Sequence, residues 1–160
     1  MIKVIFVCLG NICRSPMAEA IFRNMVKESG LDKLIEIDSA GTGSWHLDKP
    51  PHEGTRKILD NYKISYDGMV SRLITAQDLK DYQYIICMDD SNIKNVRGFG
   101  SINSENFFGK LSDFVPNSTW SEVPDPYYTG DFEETYDLVI SGCKHLLEHI
   151  CEKHNLAYKS

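Results

Sequence analysis

Short apolar runs at residues 2–7, 34–39, 84–88 and 110–115 alternate with longer segments whose apolar residues recur at helical spacing. This alternation constrains the fold more than any other feature of the chain. Runs of four to eight apolar residues are the length of buried strands, and each is followed by enough residues for a helical crossover. Strands separated by helices pair in parallel with right-handed crossovers. The expected fold is therefore α/β: one three-layer domain over residues 1–160, Rossmann-like, with a central four-stranded parallel twisted sheet flanked by helices.

The local signals refine this outline. "IKVIFV", 2–7, is a β-branched run entered from the N-terminus. Ser15 and Pro16 read as the N-cap and first position of a helix carrying Met17, Ala20, Ile21, Met25 and Val26 on one stripe and ending at Gly30. A second helix is expected over 52–62. Thr75 and Asp78 form a capping-box pattern for a third over 76–82, and "DDSNIKNVRG" gives a short one ending at Gly98. "VPDPYYTGD" reads as a Pro-rich loop. Asp131, with Glu134 at the box position, then caps a last helix expected to bury Phe132, Tyr136, Val139, Ile140, Cys143, Leu147 and Ile150.

Composition excludes several classes. At 160 residues, 42% hydrophobic and 25% charged, the chain has the make-up of a globular domain rather than a disordered one. The net charge of −6 argues against a nonspecific nucleic-acid binder. No stretch reaches the roughly 18 apolar residues of a membrane span, and the N-terminus is too short and polar for a signal peptide. A cytoplasmic location is expected. Five widely spaced cysteines form no C-x-x-C and no disulfide framework, and Cys143 and Cys151 read as packing residues. His145 and His149, four apart, read as a solvated helix face, since no third metal ligand is suggested.

The chemistry concentrates in "VCLGNICRSP", 7–16. The loop leaves the first strand and enters the first helix, where backbone N–H groups lack partners and the helix dipole is positive. Gly10 and Asn11 tolerate left-handed backbone, so the loop can curl N–H groups into an anion cradle. Cys8 lies at its floor, in a field that favours a thiolate. Arg14 offers a planar fork for two phosphate oxygens. A nucleophile, a cradle and a fork together describe phosphoryl transfer to sulfur. The loop lacks the lysine of a G-x-x-x-x-G-K-[ST] loop and the G-x-G-x-x-G fingerprint, which disfavours a nucleotide site. In open parallel sheets ligands bind beyond the carboxyl ends of the strands, where strand order reverses. The 39–45 segment, Asp89 and the "DPYY" loop, 125–128, belong to the same end.

"VCLGNICRSP" resembles the signature of the low-molecular-weight protein tyrosine phosphatases, and "DPYY" resembles their acid loop. "DSAGT", 38–42, and "YIICMDDSN", 84–92, resemble further family segments in family order. The resemblance implies the phosphotyrosine phosphatase I fold and a cysteine-dependent phosphoric monoester hydrolase with a cysteinyl-phosphate intermediate, no cofactor and no metal. Residue by residue, Cys8 matches the nucleophile, Arg14 the phosphate clamp, Ser15 the hydroxyl that assists the sulfur as leaving group, and Asp125 the general acid and base. Leu9, Gly10, Asn11, Ile12 and Cys13 match the rest of the phosphate loop. Asn11 matches the residue that holds its left-handed bend, and Ser39 its usual partner. Leu9, Ile12, Trp45, Tyr127 and Tyr128 match walls around an aromatic leaving group. Cys13 matches a loop cysteine that forms a reversible disulfide with the nucleophile.

The implied partners are phosphotyrosine-containing proteins and, in the loop, inorganic phosphate or oxyanion inhibitors; the chain is expected to be a monomer or weak dimer. In "MVSRLIT", 69–75, Met69 stands where the family often has a histidine supporting Asn11 and Ser39. An arsenate reductase would need two further redox cysteines near the third strand, where only Cys87 stands. An arginine phosphatase of the same family would carry threonine in place of Ile12. A non-catalytic binding module would lack Cys8, Arg14 or Asp125.

Overall fold

The computed structural model describes residues 1–157; the last three residues of the expected 1–160 domain lie outside them. Four strands form one parallel sheet in the order β2-β1-β3-β4: β1 (Ile2–Cys8), β2 (Ile35–Gly41), β3 (Tyr84–Cys87) and β4 (Phe107–Lys110). Val4 lies opposite Ile37 on one side and Tyr84 on the other. The chain runs from β1 to β2, then crosses to the opposite side of β1 to form β3. Strand order therefore reverses at the carboxyl end of β1, which is where a ligand crevice opens in such sheets.

β1 is apolar throughout because both of its faces are covered. Val4, Phe6 and Cys8 face a core shared with α1 (Arg14–Glu28) and α6 (Phe132–Lys153). Ile5 and Val7 face a second core with Ile74, Leu79, Ile85, Cys87 and Val96, under α3 (Ala76–Asp81) and α4 (Asp90–Arg97). Helix α2 (Glu53–Asn61) packs beside α1 and α6. All five cysteines are free and buried. Cys143 and Cys151 are packing residues of the first core. No helix among the described residues is long and apolar enough to cross a membrane.

Several local expectations need correction. Helix α1 begins at Arg14, so Ser15 lies inside its first turn and caps nothing; Pro16 is the third helical residue. Within the first turn the missing N–H of proline costs no helical bond, and the Ser15 hydroxyl is free to face the loop. The fourth strand is Phe107–Lys110 rather than 110–115, and residues Leu111–Phe114 form a 3₁₀ turn. Asp113 accepts a hydrogen bond from the Lys110 N–H at 2.8 Å and curls the chain away from the sheet. The second strand runs on to Gly41, beyond the end of the apolar run, because β1 continues beside it to Cys8, which pairs with Gly41. "DPYY" carries a helical turn, α5 (Pro126–Thr129), which Asp125 caps. In α6 Phe132, Tyr136 and Ile140 are only partly buried, while Leu146, absent from the expected stripe, is fully buried. The Thr75–Asp78 capping box forms as expected.

Candidate active site

The loop 9–13 connects β1 to α1 at the point where strand order reverses. Asn11 alone in the loop takes the left-handed conformation (φ 56°); Gly10 does not. Gly10 is constrained by space instead, since a Cβ there would lie 3.2 Å from the His46 ring. The bend aims the Asn11 N–H at Cys8 Sγ, 3.3 Å away. Ser15 Oγ lies 3.0 Å from the same sulfur.

The Asn11 side chain is fully engaged. Its amide donates to Ser15 Oγ at 2.8 Å and Ser39 Oγ at 3.0 Å, and its carbonyl accepts from the Arg72 N–H at 3.0 Å. Ser39 then donates to Glu19 at 2.6 Å, and Glu19 pairs with Arg23. Glu19 is the residue that terminates this network where Met69 offers no polar group. Burial pushes the Glu19 carboxyl above the usual carboxylate range, against the pull of Ser39 and Arg23. The sequence contained a sign of this: Glu19 falls beside the apolar stripe of α1, one turn before Arg23.

Arg14 is almost wholly buried, with a 2% exposed side chain. One terminal nitrogen donates to Asp89 at 2.6 Å and to the Val123 carbonyl at 2.9 Å; the other lies 3.4 Å from Asp125. Its Nε is buried without a partner among the described residues. Burial opposes the guanidinium charge, but Cys8, Asp89 and Asp125 outweigh that cost and strengthen its hold on the proton. Asp89 does two things with one carboxylate: it caps α4 through the Asn92 N–H and fixes Arg14.

Cys13 faces the opposite situation. Burial pushes its thiol up to about 12, with Cys8 and Asp125 adding to the effect, so it stays protonated at neutral pH.

A cavity of about 340 Å³ opens above the loop, lined by Cys8, Leu9, Ile12, Cys13, Asp125 and the aromatic rim of Trp45, His46, Tyr127 and Tyr128. Trp45 and Tyr128 are the two most exposed aromatic residues of the rim, at 73% and 75%. Large apolar side chains held in water at a cavity mouth mark a contact surface. All the expected site residues thus converge, with Asn11, Arg14, Ser15 and Ser39 buried beside the cavity rather than lining it. His46 and Asp89 join them. Nothing in the spacing of the sequence points to His46.

A family model described as low molecular weight phosphotyrosine protein phosphatase matches residues 3–156. The chain belongs to that family. It is 51% identical over 156 residues to the low molecular weight protein-tyrosine-phosphatase YfkJ of Bacillus subtilis, covering 98% of this chain and all of the relative. The crystal structure of YfkJ superimposes with a TM-score of 0.92 over 96% of each chain. PtpA of Staphylococcus aureus, strain bovine RF122 / ET3-1, is 50% identical over 98% of both chains. A Drosophila arginine phosphatase, DARP, is 31% identical, with a TM-score of 0.85 over 93% of this chain and 98% of that one. This family member therefore shares its fold with enzymes named for two different phosphorylated residues.

Proposed function

We propose that the chain hydrolyses phosphotyrosine in proteins, and small aryl phosphates, through a cysteinyl-phosphate intermediate. The observation that carries the reading is the convergence of Cys8, Asp125 and an aromatic rim on one cavity, with the buried Arg14 guanidinium 3.4 Å from the Asp125 carboxylate. The three non-bridging oxygens of the ester enter the cradle formed by loop residues 9–14. The phosphate takes up the free edge of Arg14 and competes with Asp125 for its 3.4 Å contact. Cys8 attacks in line, and charge on the equatorial oxygens is met by Arg14 and backbone N–H groups. Asp125 gives a proton to the departing phenolate. Water then attacks the cysteinyl phosphate with Asp125 as base, and Ser15 stabilises the leaving sulfur.

Phosphotyrosine is favoured over phosphoarginine because Ile12 presents an apolar wall beneath Tyr127 and Tyr128, where an arginine phosphatase of this family would carry threonine. The reading places the enzyme in the cytoplasm as one domain, a monomer or weak dimer acting on phosphoproteins and inhibited by phosphate-like oxyanions. Cys13, held as a thiol, is the partner for reversible disulfide formation once Cys8 is oxidised.

The test isolates the acid. A tyrosine phenol has a pKa near 10, so its phenolate needs a proton as the P–O bond breaks, whereas an activated aryl phosphate needs it far less. In single-turnover phosphorylation of Cys8, Asp125→Ala is expected to slow phosphotyrosine by about 10²–10⁴ and the activated ester much less. Equal slowing of both would remove Asp125 from the role.

A further inference from the structure

Asp125 rides on a segment whose only regular structure is the single turn α5, yet its carboxylate must stand at a set height above Cys8. We infer that His52 is the positioning residue that fixes this acid loop over the phosphate loop. The inference rests on the reading of Asp125 as the acid.

His52 touches each part that must be registered. Its backbone N–H donates to the Ile12 carbonyl of the phosphate loop at 2.6 Å. Thr55, one turn on, reinforces that attachment with a hydroxyl bond to the Cys13 carbonyl at 3.1 Å. The imidazole Nδ1 accepts from the Gly54 N–H at 3.0 Å and caps α2, so in this geometry the ring proton is on Nε2. With the ring thus pinned, its remaining surface meets both ends of the acid loop. It lies edge-on to Tyr127, centroids 5.9 Å apart at 79°, and stacks on Phe132 at 5.2 Å and 19°. Tyr127 is two residues after Asp125 and donates its N–H to the Asp125 carboxylate. Phe132 is the first residue of α6. His46 packs the Tyr127 ring as well, at 5.7 Å. The seat of Phe132 depends on Gly54, where a Cβ would come within 2.4–2.6 Å of the Phe132 ring. A backbone bond fixes His52 to the nucleophile's loop, and ring contacts fix it to the acid's loop.

His52→Asn separates the two functions. Asparagine is among the preferred N-caps and keeps the backbone bond to Ile12, but it has no ring. A displacement of about 1 Å at a reacting group costs on the order of 10² in rate. In single turnover, His52→Asn is expected to slow phosphotyrosine at least tenfold and the activated aryl phosphate less than threefold. In an Asp125→Ala background it is expected to add nothing further. Equal slowing of the two substrates, or a full additional loss without Asp125, overturns the inference. Gly54→Ala supplies a second test that keeps His52 but displaces Phe132. It is expected to reproduce the substrate-selective loss, and wild-type rates on both substrates would overturn the inference. If Asp125→Ala alone fails to discriminate the substrates, the acid assignment falls; if only the His52 and Gly54 variants fail to, the present inference falls and the acid assignment stands.

Discussion

Asn11 carries more of the site than its size suggests. It supplies the left-handed bend, directs its N–H to Cys8, and divides its amide between Ser15 and Ser39. Because Ser15 Oγ accepts from Asn11, its own proton is available to the Cys8 sulfur. The amide is held in this orientation by the Arg72 N–H, and Arg72 is in turn fixed by carboxylates of Asp38 and Asp78. Burial raises the Asp78 carboxyl, but the Arg72 fork and the Thr75 bonds outweigh it and hold it below its ordinary 3.8. A depressed carboxyl contributes stability above its ordinary value and loses it as pH falls through the depressed one. Asp78→Asn is therefore expected to cost about 1–2 kcal/mol at pH 7, where the partly solvated fork limits the loss. In urea unfolding the difference from wild type should close as pH falls below 3.8. A difference unchanged at pH 3 would show that the charge of Asp78 contributes nothing. At the cavity, Ile12 is 7% exposed and lines the wall. Ile12→Thr is expected to lower kcat/KM for phosphotyrosine severalfold, about the value of one or two lost apolar groups, and to raise the relative rate on phosphoarginine. Peptide turnover with both substrates measures the ratio, and an unchanged ratio would mean that Ile12 does not set the choice.

Among the elements, α6 shows how packing overrides propensity. Gly142 lies within this 22-residue helix. On propensity alone, Gly142→Ala would stabilise it by about 1 kcal/mol. The structure reverses the sign. An added Cβ would sit 2.3 Å from Leu111 Cγ, and Leu111 is fully buried at the start of the 3₁₀ turn after β4. Overpacking of this kind typically costs about 1–3 kcal/mol. Gly142→Ala is expected to lower stability by roughly 1–2 kcal/mol in denaturant melts, and a gain would show that Leu111 yields freely. The same contact explains why the chain after β4 does not continue as a strand: Leu111 is drawn onto α6 while Asp113 reaches back to Lys110.

For the molecule as a whole, the reversal of strand order at β1 brings residues more than a hundred positions apart around one candidate site. Arg14 meets Asp89 after β3 and Asp125 beyond β4. The net charge of −6 is therefore no guide to the local arrangement, in which a buried guanidinium at the N-terminus of α1 is paired with the carboxylates of Asp89 and Asp125. If the site holds phosphate as proposed, the bound anion stabilises the folded state by about 2.7 kcal/mol at a hundred times its Kd. Thermal unfolding is expected to shift upward with phosphate in wild type and in Cys8→Ser, which keeps the cradle, but not in Arg14→Met. A shift retained in Arg14→Met would place the anion elsewhere.

The sequence by itself determined the alternating strands and helices, the parallel sheet and the loop after β1, with Gly10 and Asn11 as its two candidates for left-handed backbone. Each follows from local periodicity or from conformations that few residue types adopt. Only the tertiary structure decided what terminates the Asn11 network, what fixes the acid loop and where β4 stops. Glu19 ends the network, where Met69 supplies no polar group, because its helix face is turned against Ser39, a residue twenty positions away. His46 lines the cavity and His52 packs on Tyr127 because separate segments fold together there, and no spacing along the chain encodes that approach. The start of α1 at Arg14 rather than after Ser15 belongs with these. A local capping preference yielded there to the hydrogen bonds that Ser15 makes to Cys8 and Asn11 across the loop.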